Sequence, residues 1–517
     1  MSKFLAVSLF SLMFLCLSCE NKVTVHEEIS DSDGFSDEDT DQDNLPDDDA
    51  DSETTDGSDT GNQSVLNLKV EENKQNALSC RLTFSTSEAK KTFVKYYSAL
   101  HAGYRIEEDS AKTEHYFFLW GMRANRVYKI EIYSGEETPE LLATTEFHSG
   151  KAPSYLPLMY LGEHSAEKTA EGFVLFQYGA TSYDPVFPVA VMVDTEGEVV
   201  WYYEYDQWYL SAFGDVTWNP EKQTILIGLL KDYSAKDSLV EEAIEIDLEG
   251  NILWTAPGIM SYYYGPGSWN HAYYMMKDGS VTFPQAVYDG CVLADRIVNL
   301  DAETYSENWS WDYRDFFEKP SCDENESEDF YIDWTHTNSV SMFKEDGIVY
   351  VNSRNFSTFY KIDMETGKII WRLGKNGDFT FIGEKDYPWF ELAHDPEING
   401  VNGNKVIFFD NGPIERGFSR IVEYTIDETA MTAEMTFEFD GLKLGKGWWS
   451  EYWGDADRLE NDNIFVTAGF YDMQQTSRFF EVTREGEVVW ELFFEKNDEW
   501  QASLYKADKF VPPLIKN

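Results

Sequence analysis

Three histidines stand just ahead of apolar strands: His271 in SWNHAYYMMKDG, His336 in DWTHTNSV and His394 in ELAHDPEING. The chain has only eight histidines, and none follows His394. Imidazoles fill an apolar core poorly. A neutral imidazole is a nucleophile or base near neutral pH, and three together can hold a metal. Arg354, in VNSRNFS, ends a strand that returns from the turn at Asp346-Gly347, so antiparallel pairing brings it beside His336. A guanidinium among histidines suits a tetrahedral oxyanion, which it grips with forked donors; the alternative is a salt bridge to one of many nearby acids. Asn338, two residues after His336, shares its face in a regularly alternating strand. Asp395 either orients His394 or only shapes the turn with Pro396. HEXXH spacing and a set of carboxylates behind the histidines, the usual marks of zinc, are absent. No metal ligand and no cofactor are therefore assigned, with zinc kept as the lesser alternative.

An internal repeat must position these residues. An apolar strand, an acidic turn and a second apolar strand ending in an aromatic recur as VMVDTEGEVVW, AIEIDLEGNILW, FYKIDMETGKIIW and FFEVTREGEVVW. Two weaker copies, IVNLDAETYSENWSW and VEYTIDETAMTAEMTF, fill the gaps, so the markers are Trp201, Trp254, Trp311, Trp371, Phe437 and Trp490, spaced by 53, 57, 60, 66 and 53 residues. Each copy alternates with period two about a turn and reads as a β-hairpin. With a second hairpin between successive copies, residues 155–517 form six four-stranded blades of a β-propeller. The intervening hairpins begin at Asp215, His271, His336, His394 and Asp455, which precede their markers by 39, 40, 35, 43 and 35 residues. First strands of blades line the central channel, so three consecutive blades each place a histidine there. The marker Trp is read as packing between blades.

Ahead of the repeat, residues 65–150 hold short alternating segments such as VLNLKV, RLTFST, HYFFLWG and VYKIEIY, separated by polar turns. These read as a small β-sandwich of fibronectin or immunoglobulin type. The fold class is thus all-β, a sandwich followed by a six-bladed propeller. Residues 20–64 lack the apolar residues to fold alone and read as an acidic linker; seventeen Asp or Glu face one Lys between 20 and 59. Within it Asp39, Asp41, Asp43 and Asp47 follow a D-x-D-x-D-x-x-x-D spacing that resembles thrombospondin type 3 calcium repeats, although Asn44 stands where the loop glycine is usual. Residues 1–19, MSKFLAVSLFSLMFLCLSC, read as a signal peptide, and Cys19 sits as in a lipobox, which predicts lipidation. No later apolar run is long enough to span a bilayer. The expected location is therefore outside the cytoplasm, as a periplasmic or surface lipoprotein touching membrane only through its anchor. Export favours a disulfide, and Cys291 with Cys322 is the nearer pair; three free thiols, with Cys80, is the alternative. The formal charge of −53 excludes nucleic acid as a partner.

Taken together, SWNHAYYMMKDG, DWTHTNSV, VNSRNFSTFYKIDMETGKIIWRLG and AHDPEINGVNGNKVIFFDNG resemble the bacterial arylsulfate sulfotransferases over residues 65–510. That resemblance implies transfer of a sulfuryl group from an aryl sulfate donor to a phenolic acceptor, without the nucleotide donor of cytosolic sulfotransferases. His394 matches the histidine that is transiently sulfated. His271, His336, Asn338 and Arg354 fall on residues that hold sulfate oxygens or assist proton transfer. Trp269 and Trp334 are expected at the mouth, stacking on phenyl rings. A homodimer is the assembly left open. The rival readings are a binding propeller without turnover and a quinone-dependent dehydrogenase; the single TG copy of the tryptophan line weighs against the latter.

Overall fold

The computed structural model describes residues 65–517 apart from 136, 155, 157, 179–188, 206–209, 212–215, 229, 232–242, 256–273, 323–331, 401–402, 441–448, 472–475 and 495–503. Cys19, the acidic linker, Asp215, Trp269 and His271 lie outside the described residues. The fold is all-β, and its sheets are mainly antiparallel.

Two sheets are built from residues 66–148 and one C-terminal strand. One orders Leu66–Glu72, Cys80–Lys90 and Lys112–Leu119; the other orders Ile515–Lys516, His101–Glu107, Thr92–Ser98, Val127–Ser134 and Glu140–His148. Alternation explains their meeting: Val127–Ser134 buries Tyr128, Ile130 and Ile132 on one face, and these share a core with Leu82, Phe84, Phe117 and Leu119 of the first sheet. The same core continues into Phe173, Trp201 and Trp218. Arg81 Nε bonds Glu249 at 2.7 Å and Arg123 Nε bonds Asp194 at 2.7 Å, and residues 62–517 form one unit.

Further along, strands meander in sequence order. Thr337–Phe343, Ile348–Ser353, Thr358–Asp363 and Ile369–Leu373 pair one after another. His394–Ile398, Lys405–Asp410, Arg420–Asp427 and Thr432–Asp440 do the same, as do Asp455–Arg458, Ile464–Tyr471, Thr476–Val482 and Val488–Phe494. Several sheets join distant parts of the chain: Val488–Phe494 also pairs with Met159–His164, and Ala507–Phe510 pairs with Phe173–Tyr178, which continues through Val189–Val193 to Val199–Glu204.

The recurring sequence line has a local cause. Asp194 Oδ1 accepts the N–H groups of Glu196 and Glu198, and Gly197 turns with φ of 75°. The equivalent turn at Asp247 is held by Glu249 N and Asn251 N, with Gly250 at φ of 89°. Carboxylate caps and a left-handed glycine are what such a turn requires. Four of the five marker indoles then reach the next such turn, while the buried Nε1 of Trp371 has no partner among the described residues. Trp201 Nε1 donates to Leu248 O at 2.9 Å, Trp254 Nε1 to Ala302 O at 2.7 Å and Trp311 Nε1 to Gly367 O at 2.9 Å. Trp490 Nε1 donates to Thr195 O at 2.7 Å, back in the first repeat. The tryptophans thus fasten one sheet to the next with both their area and their N–H. Cys291 and Cys322 are disulfide-bonded, with Cα atoms 5.7 Å apart, and Cys80 is a buried free thiol.

Candidate active site

His394 opens its strand, opposite Phe409, and the pairing slips before Glu397. Pro396, which cannot donate to the ladder, falls in that bulge, and Asp395 takes a φ of 34°. Leu392 also has positive φ, 56°, and its N–H is held by Ser357 Oγ at 3.0 Å. The carbonyl of Ala393 accepts two amides from the neighbouring sheet, Asn338 Nδ2 and Asn352 Nδ2, each at 2.9 Å. Two left-handed residues and two asparagines therefore fix the backbone on either side of His394.

The imidazole is 2% exposed. Its Nδ1 lies 2.8 Å from Asn411 Oδ1, while Asn411 Nδ2 donates to Ser450 O and Trp453 O, both at 2.8 Å. Those two carbonyls require the NH₂ end of Asn411, so its oxygen faces His394 and must accept. Nδ1 consequently carries the proton, and Nε2 keeps its lone pair. Burial pushes the ring well below its ordinary value near 6.5, aided by the charges of Arg354 and His336 and opposed by the bond to Asn411. His394 is neutral, oriented and basic at one nitrogen.

His336 precedes its strand with φ of 46°. Its Nδ1 is 2.5 Å from Asp333 Oδ2. Burial alone would raise the Asp333 carboxyl; the charge and hydrogen bond of His336, with Asn355 and Arg354, outweigh it and hold the group below the usual carboxylate range. The loop carrying both is anchored by Asp295, whose Oδ2 accepts from Thr335 Oγ1 at 2.7 Å and Thr337 N at 2.6 Å. Residues Ile332–Asp333 also run parallel to Val292–Leu293.

Arg354 extends the next strand, its N–H bonding His336 O at 3.0 Å. The guanidinium is 9% exposed and donates from Nη1 to Asn355 Oδ1 at 3.0 Å, whereas Nε has no partner among the described residues. It lies 5.8 Å from the Tyr452 ring centroid. Burial depresses its pKa, and the Asp333 carboxylate only partly offsets this. Tyr505 closes another side: its ring is 6.4 Å from that of His394, and its hydroxyl donates to Asn338 O at 3.1 Å.

The structure thus brings together His394, His336 and Arg354. Asn338 is fully buried, its amide spent on Ala393 O and on accepting from Asn352 at 2.7 Å. Trp334 is buried in an apolar cluster, edge-on to Phe356 at 5.8 Å. Asp395 pairs with Lys506 Nζ at 3.3 Å, so Asn411, not Asp395, orients the histidine. Asn411 and Asp333 are the functional residues that the sequence reading missed. Asn411 follows the return strand Lys405–Asp410 as Arg354 follows Ile348–Ser353, and that equivalence was the available signal.

A family model described as Arylsulfotransferase (ASST) matches residues 161–506. The chain belongs to the arylsulfotransferase family. The match spans every residue of the candidate site, including the newly placed Asn411 and Asp333. No curated protein matches the chain. Among solved structures, it is similar to a 6-phosphogluconolactonase candidate from Bacteroides uniformis (10% identity, 82% of this chain and 100% of that one, TM-score 0.35). It is also similar to a chain of a nidogen/laminin complex (9%, 65% and 97%, TM-score 0.36) and to Kluyveromyces lactis Hsv2p (8%, 87% and 99%, TM-score 0.26). At such identities and TM-scores these likenesses say nothing about the activity of an arylsulfotransferase.

Proposed function

We propose that this chain is an exported arylsulfate sulfotransferase, moving a sulfuryl group from an aryl sulfate ester to a phenol through His394 without a nucleotide donor. One observation carries the reading: a buried neutral imidazole whose Nδ1–H is given to Asn411, which leaves the lone pair on Nε2, next to an arginine with an unused buried donor. Family membership supports the class of reaction; this geometry supports the route.

In the first half-reaction the Nε2 lone pair attacks sulfur, the sulfur–oxygen bond breaks, and aryloxide leaves with the electron pair. In the second, the acceptor phenol loses its proton as its oxygen attacks sulfur. The nitrogen–sulfur bond breaks and its pair returns to Nε2. The acceptor's proton balances the phenolate released earlier, and His336, braced by Asp333, is suited to carry it. Sulfuryl transfer, like phosphoryl transfer, needs alignment and oxyanion stabilisation more than covalent assistance. Arg354 supplies that stabilisation, joined by His271, with Trp269 as an aromatic wall. An aspartate behind His394 would repel a sulfate ester; Asn411 fixes the same tautomer without charge. Two chemical halves at one histidine give ping-pong kinetics. Six blades, closed where Ala507–Phe510 joins the first, and an N-terminal sandwich complete this reading, with lipidation at Cys19 and no cofactor.

Incubation with p-nitrophenyl sulfate, with and without phenol, tests it. Nitrophenol release should depend on the acceptor and vanish in His394→Asn. Failure to trap an acid-labile sulfuryl adduct on His394 with any donor sinks the proposal, and ester binding without turnover favours the non-catalytic propeller.

A further inference from the structure

One sheet beyond His394, the equivalent strand opens with a carboxylate. Asp455 and Asp457 lie on strand Asp455–Arg458, and Asp508 on Ala507–Phe510 of another sheet. An oxygen from each of the three lies within 4.8 Å of the other two. Two N–H groups reach them: Ala456 N donates to Asp455 Oδ1 at 2.7 Å and Trp218 N to Asp508 Oδ2 at 2.8 Å. The nearby Lys506 bonds Asp395, with Nζ 3.3 Å from that carboxylate.

A second observation is independent of the acids. Thr467 is 0% exposed, and its Oγ1 has no hydrogen-bond partner among the described residues. It pairs directly with Asp455 across the strands, so both side chains leave the sheet on one face. A fully buried hydroxyl without a partner is destabilising. Three carboxylates this close repel one another strongly where water screens them poorly. One ligand relieves both costs, a hard cation taking oxygen donors only. Calcium–oxygen bonds of about 2.3–2.6 Å put opposite ligands up to ~5 Å apart, whereas magnesium bonds of about 2.1 Å demand a tighter set.

We propose that Asp455, Asp457, Asp508 and the Thr467 hydroxyl form a calcium site that ties the strand Asp455–Arg458 to the strand Ala507–Phe510. The site is independent of the sulfuryl-transfer reading, since none of its residues belongs to the proposed catalytic group.

The test uses the full chain with Asp39, Asp41, Asp43 and Asp47 changed to Asn, which silences the acidic linker motif. After chelation, calcium is titrated calorimetrically and Tm is read with and without calcium. One calcium should bind per chain and raise Tm. Asp457→Asn should abolish both effects, and the near-isosteric Thr467→Val should weaken binding about tenfold while its Tm in chelator holds or rises, since the unpartnered hydroxyl is gone. Absence of binding in the parent, unchanged affinity in either variant, or tighter binding of magnesium than of calcium overturns the assignment.

Discussion

Two buried arginines in neighbouring sheets have opposite surroundings. Arg420, 1% exposed, donates from Nε to Asp410 at 2.7 Å, from Nη1 to Glu438 at 2.8 Å, and from Nη2 to the carbonyls of Tyr387 and Trp389 at 2.9 and 3.1 Å. Burial would depress its pKa, but Asp410 and Glu438 more than compensate and raise it. Arg354, 9% exposed, has Asn355 for its Nη1 and nothing for Nε among the described residues, and its pKa falls. A buried guanidinium is retained either because its donors are filled by the fold or because a ligand is meant to fill them. Arg420 holds the framework, and Arg354 keeps a buried donor that the described residues leave unused.

That contrast can be broken at four points. The largest effect is expected at Arg420→Met, which takes one of two cations from each of Asp410 and Glu438 and a buried donor from the carbonyls of Tyr387 and Trp389. It should cost about 3–5 kcal/mol of stability in denaturant melts, with turnover per folded molecule preserved; a stable but inactive variant would erase the distinction. Arg354→Met should do the reverse, lowering kcat about 10²–10³-fold while Tm holds or rises. Asn411→Ala frees the His394 tautomer and should lower kcat roughly 10–100-fold, with p-nitrophenyl sulfate KM little changed. The smallest effect is on pH. His394 has a folded pKa below its ordinary value, so the stability tied to its neutral form is complete above about 6.5 and is lost as pH falls below that value. The loss should be on the order of 1 kcal/mol per pH unit. Because Arg354 contributes to that depression, Arg354→Met should flatten the acid side of the Tm profile.

Much of this was legible beforehand. Periodic tryptophans marked the hairpins, because four of the five marker indoles hydrogen-bond to the next turn. Antiparallel return placed Arg354 beside His336, as its N–H to His336 O confirms. Asn338 was harder. Regular alternation put it on the face of His336, but the pairing slips between Thr337 and Ser339, and the bulge turns its amide to Ala393. Trp334 looked like an exposed aromatic because nothing local announces the parallel pairing of Ile332–Asp333 with Val292–Leu293 that draws it inward. Asn411 takes its role from carbonyls at Ser450 and Trp453, and a single sequence carries no trace of such partners.

The pairing of Ala507–Phe510 with Phe173–Tyr178 also sets an order of events. Tyr505 and Lys506, which brace Asn338 and Asp395, lie in the segment leading into that late strand. During synthesis His394 is therefore made well before the residues that seat it. Until the late strand arrives, Phe173–Tyr178 lacks that partner strand and Asp395 its lysine. Such non-local closure is slow and comes last. A partly emerged chain carries all three side chains proposed for catalysis and still lacks the setting in which the structure holds them.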